Sequence, residues 1–600
     1  MRNTTATALL IACACFCTPS IYSQTTETAQ SEVSEKILTE TEKRIADHVL
    51  PTYAPNNEIT GEYDESLAAK CFNGIFVGKK REDVNIWKGI PFCKQPVGEL
   101  RFREPQPAEA SSKVYEAYNF MKSCMQSIDP DEKASKYEQG DDCLGLNIWS
   151  NTKSSLKAKP VLVFIHGGGW IAGGTSDPLY EGYYFAHDNP DVMLVTIDYR
   201  VGMMGQINLS SLPDGKDFEN SEDLCMLDMV EALKWIKQNI AAFGGDPNNV
   251  TISGESAGGG AVSMLCVMKE AKGLFTKAIP MSGAVTHFNK KELTLKQVPA
   301  LQEAFGCKTV ADIQNIPFDK LKKWWGYNVE NVYHHPVRGN KLIEADPLNA
   351  WERGDSKDII VLQGHTSKEF NYYFTVYGYL DAMFDAVCEA GTKGISARSD
   401  KKYAEVYEEY MKSLEKLGYK GNNQYREFMN DKVFNGPQLY QAEMHSKNGG
   451  KGYFYTFDKS YDGDYAKIGA GHAVDLCYLF GTFDGVWSFG TPDELELASK
   501  YQQMIVNFCK TGNPSIEGLD WPEYNTQTRS RMIIGDNTHV EENYETERST
   551  KVMQMMELSE AFRFPGNEGT LFESAAALNP EAAAECKKIW DKNQELDKKN

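Results

Sequence analysis

The run Gly254-Glu255-Ser256-Ala257-Gly258 sets one serine between two glycines, directly after the apolar stretch Val250-Thr251-Ile252. A turn this tight leaves no room for a Cβ at either flanking position, and the serine between them is held in a strained conformation that points Oγ outward. A serine hydroxyl is a poor nucleophile at neutral pH. It becomes an effective one when an imidazole takes its proton and a carboxylate fixes the imidazole's tautomer and stabilises the imidazolium. The chemistry on offer is acyl transfer, and the missing partners are an acid and a histidine further along the chain.

Seven of the ten histidines follow Ser256: His287, His334, His335, His365, His445, His472 and His539. Position separates them. His472 ends the run Gly469-Ala470-Gly471-His472 after the strand expected at Tyr453 to Phe457, where a flexible loop lets the ring reach across the carboxyl end of a sheet. His334 and His335 stand beside a proline and read as surface loop residues. For the acid, Glu369 follows the strand expected at Ile359 to Gln363, at the same end of the sheet as the serine turn, whereas Asp355 and Asp358 precede that strand. A glutamate after a strand is more often simply solvated, so position alone leaves the acid unassigned. The transition state also needs N–H donors aimed at a developing oxyanion. His166-Gly167-Gly168-Gly169-Trp170 follows the apolar run Val161 to Ile165, and its unhindered backbone can bring the amides of Gly168 and Gly169 beside that of Ala257.

These residues need elements to hold them. Asp223 to Phe243 carries Leu227, Val230, Leu233, Ile236, Ile240 and Phe243 at helical spacing, and Gly244 to Asn249 then breaks the helix before a short strand. Ala257 to Met268 is small and apolar, as a helix buried against a sheet requires. The order helix, loop, strand, serine, helix is that of an α/β-hydrolase. Phe72 to Lys88 reads as a hairpin, and Val161 to Ile165, Val192 to Tyr199 and Lys277 to Met281 as strands. Their alternation with helical stretches predicts an α/β fold with a central, mostly parallel twisted sheet flanked by helices. Asn371 to Lys451 is charged at helical spacing and rich in aromatics, and is expected to be a helical insertion over the sheet edge that walls the entrance. Trp170, Tyr372, Tyr373 and Phe374 are candidate pocket walls, Trp170 and Tyr373 foremost as substrate-binding residues.

No linker divides the 600 residues after position 65, so one large domain is expected at 66–545, after a polar arm at 24–65 and before a helical Ala/Glu/Lys-rich tail at 546–600. The formal net charge of -21 repels phosphate backbones and anionic headgroups, which argues against nucleic-acid and membrane-surface partners. Arg2, the apolar stretch Ala6 to Phe16 and the small residues Ser20 and Ser23 read as a secretory signal peptide over 1–23, giving a secreted or periplasmic protein. Leu10-Ile11-Ala12-Cys13 also resembles a lipobox that would leave Cys13 lipidated. No other stretch reaches the ~18 apolar residues of a transmembrane helix. Of 14 cysteines, Cys13, Cys15 and Cys17 lie in the leader and an odd number remains, so at least one thiol is unpaired. No Cys-x-x-Cys is present, and no metal or cofactor is called for. Cys124 with Cys143, then Cys71 with Cys93, are the candidate disulfides.

Several separate strings carry a resemblance. They are Gly89-Ile90-Pro91-Phe92 with Arg101-Phe102, Asp141-Asp142-Cys143-Leu144-Gly145-Leu146-Asn147-Ile148-Trp149, the His166 to Trp170 run, Asp198-Tyr199-Arg200-Val201-Gly202, Asn239 to Ser256, and Trp521-Pro522. In this order they resemble the type-B carboxylesterases, the family that includes cholinesterases and bacterial p-nitrobenzyl esterases, over roughly residues 67 to 540. The resemblance implies Ser256 as nucleophile, Glu369 as acid, His472 as base, and Gly168, Gly169 and Ala257 as oxyanion donors. It also implies a Cys124–Cys143 disulfide, a structural Arg200–Asp228 ion pair, and supporting roles for Glu255 and Ser282 behind the triad.

The departures carry information too. Phe370 stands where glycine usually follows the acid, and Gly145 replaces the usual aromatic. The short interval from Cys124 to Cys143 holds no tryptophan, whereas cholinesterases use one there to bind a quaternary ammonium by cation–π contact, so a cholinesterase is not expected. The expectation is a secreted serine carboxylesterase that hydrolyses small carboxylic esters through an acyl-enzyme. The rival readings are a non-catalytic binding or adhesion protein on the same fold, and an amidase or thioesterase with the same machinery. The natural substrate and the oligomeric state have no readable code in the chain.

Overall fold

The structure is a computed structural model that describes residues 39–126, 137–328, 335–372, 381–461, 463–564, 576–585 and 588. The expected leader, Cys13, Tyr373 and Phe374 lie outside the described residues.

Eleven strands form the main sheet: β1 (Lys79–Arg81), β2 (Val84–Pro91), β3 (Gly145–Asn151), β4 (Lys159–Ile165), β5 (Met193–Ile197), β6 (Gly245–Glu255), β7 (Lys277–Met281), β8 (Ile360–Thr366), β9 (Gly452–Phe457), β10 (Arg531–Ile534) and β11 (His539–Glu541). Their order across the sheet is β11-β10-β9-β8-β7-β6-β4-β5-β3-β2-β1. The run from β10 to β5 is parallel, and antiparallel strands close both edges. Central strands of this kind are covered on both faces, which is why β4 and β5 read as continuous apolar runs. Alternate residues of β4 feed two separate cores. Val161, Val163 and Ile165 face one cluster with the helices α2 (Leu224–Asn239) and α3 (Ala257–Leu265). Leu162 and Phe164 face another with α8 (Val474–Phe480) and α9 (Pro492–Thr511).

The parallel register places Ile165, Glu255, Met281, Thr366 and Phe457 at one end of the sheet. In open α/β sheets, ligands bind beyond the carboxyl ends of the strands. Over this end lies the insertion, which folds as α4 (Asp381–Ala397), α5 (Lys401–Lys416), α6 (Asn422–Asn430), a π-helical turn at Asp431–Asn435 and α7 (Gly436–Lys447). Gln438 on α7 donates to the carbonyls of Pro280 (3.1 Å) and Gly283 (3.3 Å), which pins the insertion to the end of β7.

Helices from the expected arm and the expected tail both pack against the rest of the molecule. The helix α1 (Glu40–Asp47) comes from the expected polar arm. At the other end, α10 (Thr546–Leu558) packs on the insertion through Arg548, which is buried against Glu427 (2.8 Å) and Asp431 (2.7 Å). The expected hairpin at Phe72 to Lys88 divides between two sheets. Ala68–Cys71 and Gly74–Val77 join Val114–Glu116 in a small sheet, and β1 with β2 joins the main one. Gly78 stands at the crossing, where a Cβ would come within 2.5 Å of the Ile86 carbonyl.

Arg200 and Asp228 form a buried two-point ion pair, Nε to Oδ2 at 2.8 Å and Nη2 to Oδ1 at 2.6 Å. The described cysteines are all thiols. Cys124 and Cys143 are therefore not bridged here, but they touch: a hydrogen bond with Cys124, together with burial, raises the Cys143 thiol well above its ordinary pKa. Among the described residues no helix is long and apolar enough to cross a membrane, and no group of acidic, histidine and cysteine side chains is arranged to hold a metal ion.

Candidate active site

β6 ends at Glu255 and α3 begins at Ala257, so Ser256 makes the whole turn, with φ 57° and ψ -119°. The flanking glycines are sterically required. A Cβ on Gly254 would stand 2.6 Å from the Gly258 carbonyl oxygen, and one on Gly258 would stand 2.1 Å from that of Ile165. The Ser256 amide donates to the Met281 carbonyl at 3.0 Å and its own carbonyl accepts from Gly260 at 2.8 Å, which locks the strained residue from both sides.

His472 precedes α8 and is fully buried, and its Nδ1 is hydrogen-bonded to Glu369 Oε2. The other oxygen of Glu369 accepts from Ser282 Oγ (2.6 Å) and the Thr366 amide (2.7 Å). Burial works against the charged form of Glu369, but His472 and then Ser282 outweigh it and hold the carboxyl below its usual pKa. An ionised carboxylate accepts only, so Nδ1 is the protonated nitrogen and Nε2 keeps its lone pair. Ser282 (φ 50°) and Ala473 (φ 66°), like Ser256, are non-glycine residues in the left-handed region, and all three surround this pair. Strain concentrated in this way is characteristic of functional sites.

Nε2 of His472 lies 3.1 Å from Glu255 Oε1. Burial, followed by the charges of Asp475 and Glu369, pushes the Glu255 carboxyl well above its ordinary pKa, which favours its neutral form beside the imidazole. Asp475 is likewise raised to about 7, first by burial and then by Glu369. Ser256 Oγ and His472 Nε2 are not hydrogen-bonded to each other in this arrangement. Such bonds are commonly long or misaligned before substrate arrives and tighten in the Michaelis complex.

The loop after β4 lies against Ser256: a Cβ on Gly167 would be 3.3 Å from its Cβ. Gly168 (φ 111°), Gly169 (φ 59°) and Trp170 (φ 68°) take a left-handed path that returns the amides of Ile171 and Ala172 to the Gly168 carbonyl at 3.1 and 3.0 Å. The amides of Gly168, Gly169 and Ala257 donate to no described residue. Amide donors not committed elsewhere are what a tetrahedral oxyanion needs.

The structure therefore brings together Ser256, Glu255, Glu369, His472 and the glycine loop. Trp170 is placed differently from a pocket wall: it is 1% exposed and packs edge-on against Tyr199 (6.4 Å) and Phe288 (5.7 Å), anchoring the loop from behind. His166 stacks on Tyr199 at 4.3 Å, and burial lowers its pKa to about 4. Tyr372 stands edge-on to His472 at 6.1 Å. Three neighbours of the imidazole have no local sequence signal: Phe434, whose ring on the π-helical turn lies 4.6 Å from that of His472, Tyr461, whose hydroxyl donates to the His472 carbonyl at 2.7 Å, and Asp475.

The model of the carboxylesterase family matches residues 66–552. The chain belongs to the carboxylesterase family. Among its relatives, the para-nitrobenzyl esterase of Bacillus subtilis (strain 168) is 32% identical over 80% of this chain and 97% of that protein. A medium-chain fatty acyl-CoA hydrolase precursor of Anas platyrhynchos is 29% identical over 76% of this chain and 85% of its own length. A solved PNB esterase superposes with a TM-score of 0.68 at 31% identity, covering 81% of this chain and 99% of that one. This carboxylesterase thus has the α/β-hydrolase fold and is a type-B carboxylic ester hydrolase.

Proposed function

We propose that this carboxylesterase hydrolyses carboxylic esters through a Ser256–His472–Glu369 triad and an acyl-enzyme. Nε2 of His472 takes the Ser256 proton as Oγ attacks the ester carbonyl, and the amides of Gly168, Gly169 and Ala257 hold the oxyanion. His472 then protonates the departing alcohol. In the second half, water loses a proton to the same nitrogen, attacks the acyl-serine carbonyl and releases the acid. Glu369 stays ionised throughout and keeps Nδ1 protonated. Glu255 occupies the Nε2 side of the ring at rest, so substrate entry has to bring Oγ into line in its place.

The observation that carries this reading is the Glu369–His472 hydrogen bond beside a strained serine and three uncommitted amides. The medium-chain acyl-CoA hydrolase among the relatives favours thioesters as the second substrate class, served by the same machinery. The reading extends to an exported protein, on the leader expected at 1–23, and in an oxidising compartment the abutting Cys124 and Cys143 are the pair that would bridge. The deciding experiment is hydrolysis of p-nitrophenyl esters from acetate to decanoate by the wild type and by Ser256→Ala. Near-complete loss of turnover in the variant is expected. A wild type inert towards every ester and towards acyl thioesters would refute catalysis.

A further inference from the structure

Residues 39–65 precede the span matched by the family, and α1 lies outside the main sheet. That helix is nevertheless fastened to the catalytic half of the molecule. It spans the loop at residues 481–491, which joins α8 to α9. Arg44 donates to the Gly481 carbonyl at 2.9 Å, where the loop starts, and Thr41 donates to the Gly490 carbonyl at 2.5 Å, where it ends. Between these, a Cβ on Gly485 would come within 3.3 Å of Ile45. The helix is itself held down. Arg44 pairs with Asp188 at 2.9 Å, and Asp47 accepts from the Tyr184 hydroxyl at 2.6 Å. The loop turns on three glycines with positive φ, Gly481, Gly485 and Gly490, so its own chain supplies little rigidity.

The same loop carries Trp487. Its ring stacks on Tyr465 at 3.8 Å and meets Tyr461 edge-on at 5.0 Å. It also lies 5.8 Å from Tyr372, the ring that stands edge-on to His472. An aromatic wall thus runs from the loop to the imidazole. Beside Trp487, Val486 and Phe489 are 41% and 38% exposed, so the wall opens outward on apolar side chains.

We propose that Trp487 is a specificity-determining residue that receives the apolar acyl chain of longer esters, and that Arg44 and Thr41 are positioning residues that hold its loop in place. This rests on the reading of His472 as the base. An acetyl group ends before the wall and gains nothing from it, whereas a decanoyl chain needs it in place.

The test measures kcat and KM for p-nitrophenyl acetate and decanoate with the full chain, as wild type, Trp487→Ala, Arg44→Ala, Arg44→Lys and the near-isosteric Thr41→Val. Loss of the charge-assisted Arg44 bonds is expected to raise KM for decanoate about tenfold in Arg44→Ala. Acetate kcat stays unchanged in that variant, Arg44→Lys recovers part of the loss, Thr41→Val shows a smaller rise, and Trp487→Ala raises decanoate KM on its own. An unchanged decanoate-to-acetate ratio in active Arg44→Ala and Trp487→Ala would overturn the proposal. So would a uniform fall on both esters that tracks the loss of thermal stability. A wild type that cleaves neither ester would instead remove the triad reading beneath it.

Discussion

Replacing Glu369 by glutamine should abolish catalysis while leaving the site's shape intact. Oε1 accepts from two donors, Ser282 Oγ at 2.6 Å and the Thr366 amide at 2.7 Å, and the backbone N–H cannot turn away. The glutamine oxygen must therefore stay on that side, which puts its NH2 against His472 Nδ1. A donor facing Nδ1 is satisfied only if that nitrogen carries no proton, so the ring proton moves to Nε2 and the base is lost. In a Ser-His-acid triad the wrong tautomer costs about 10⁴ in kcat, or about 5.4 kcal/mol. The flipped amide would leave the Thr366 N–H unpaired at a cost of about 1–3 kcal/mol, so no more than a minor fraction keeps the working tautomer, without the charge that stabilises imidazolium. A fall in kcat of about 10³ or more is expected for p-nitrophenyl butyrate, with circular dichroism showing a folded variant. If folded Glu369→Gln keeps more than about a tenth of wild-type kcat, Glu369 is not the acid and the hydrogen-bond argument fails.

Glu255→Gln tests the neutral carboxyl: because burial favours the protonated form of Glu255, the amide should retain kcat within about tenfold, and a loss as large as that of Glu369→Gln would show the charge is needed. Asp228→Ala leaves Arg200 buried and unpaired, and should cost about 3–5 kcal/mol in urea unfolding; a loss below about 1 kcal/mol would contradict the buried pair. Asp198 is raised from 3.8 to about 7 by burial, against the opposing hydrogen bonds of Thr175, so the folded state keeps a proton that the unfolded chain has released. The stability it contributes is present below pH 4 and is lost as pH rises towards 7, by about 1.4 kcal/mol per pH unit. Asp198→Asn should remove that slope in unfolding curves taken from pH 4.5 to 7.5, and parallel wild-type and variant profiles would refute the shift.

The elbow was legible because its chemistry is local: two glycines, one serine and a preceding apolar strand fall within a few residues, and steric exclusion at Gly254 and Gly258 leaves no alternative residue. The parallel sheet was legible for a related reason, since strands buried on both faces must be apolar throughout. β3 is less legible as a strand because Asn147, Ser150 and Asn151 interrupt its apolar pattern. Asn147 is tolerated inside because every polar group on its side chain is paired, Oδ1 with the Gly89 amide and Nδ2 with Thr175 and Thr196. Trp170 shows the opposite failure. An aromatic next to a glycine loop looks like a pocket wall, but its left-handed backbone turns the ring into the core.

What remained hidden depends on contacts between segments far apart in the chain. Glu369 needs Ser282 and Thr366 to hold its carboxylate, His472 needs Phe434 and Tyr461 around it, and Phe434 comes from a π-helical turn whose Asp431 is tied to Arg548 on α10. None of these pairs has a periodicity or spacing that a sequence could display. They have a common consequence, however. The serine turn is over-determined by nearby sterics, whereas the surroundings of the imidazole come from the π-helical turn that α10 holds, and the 481–491 loop is held by α1. Changes in α1 should therefore disturb the proposed substrate wall, and changes in α10 the surroundings of His472, before either disturbs Ser256, and substrate preference can drift in this architecture while the elbow stays the same.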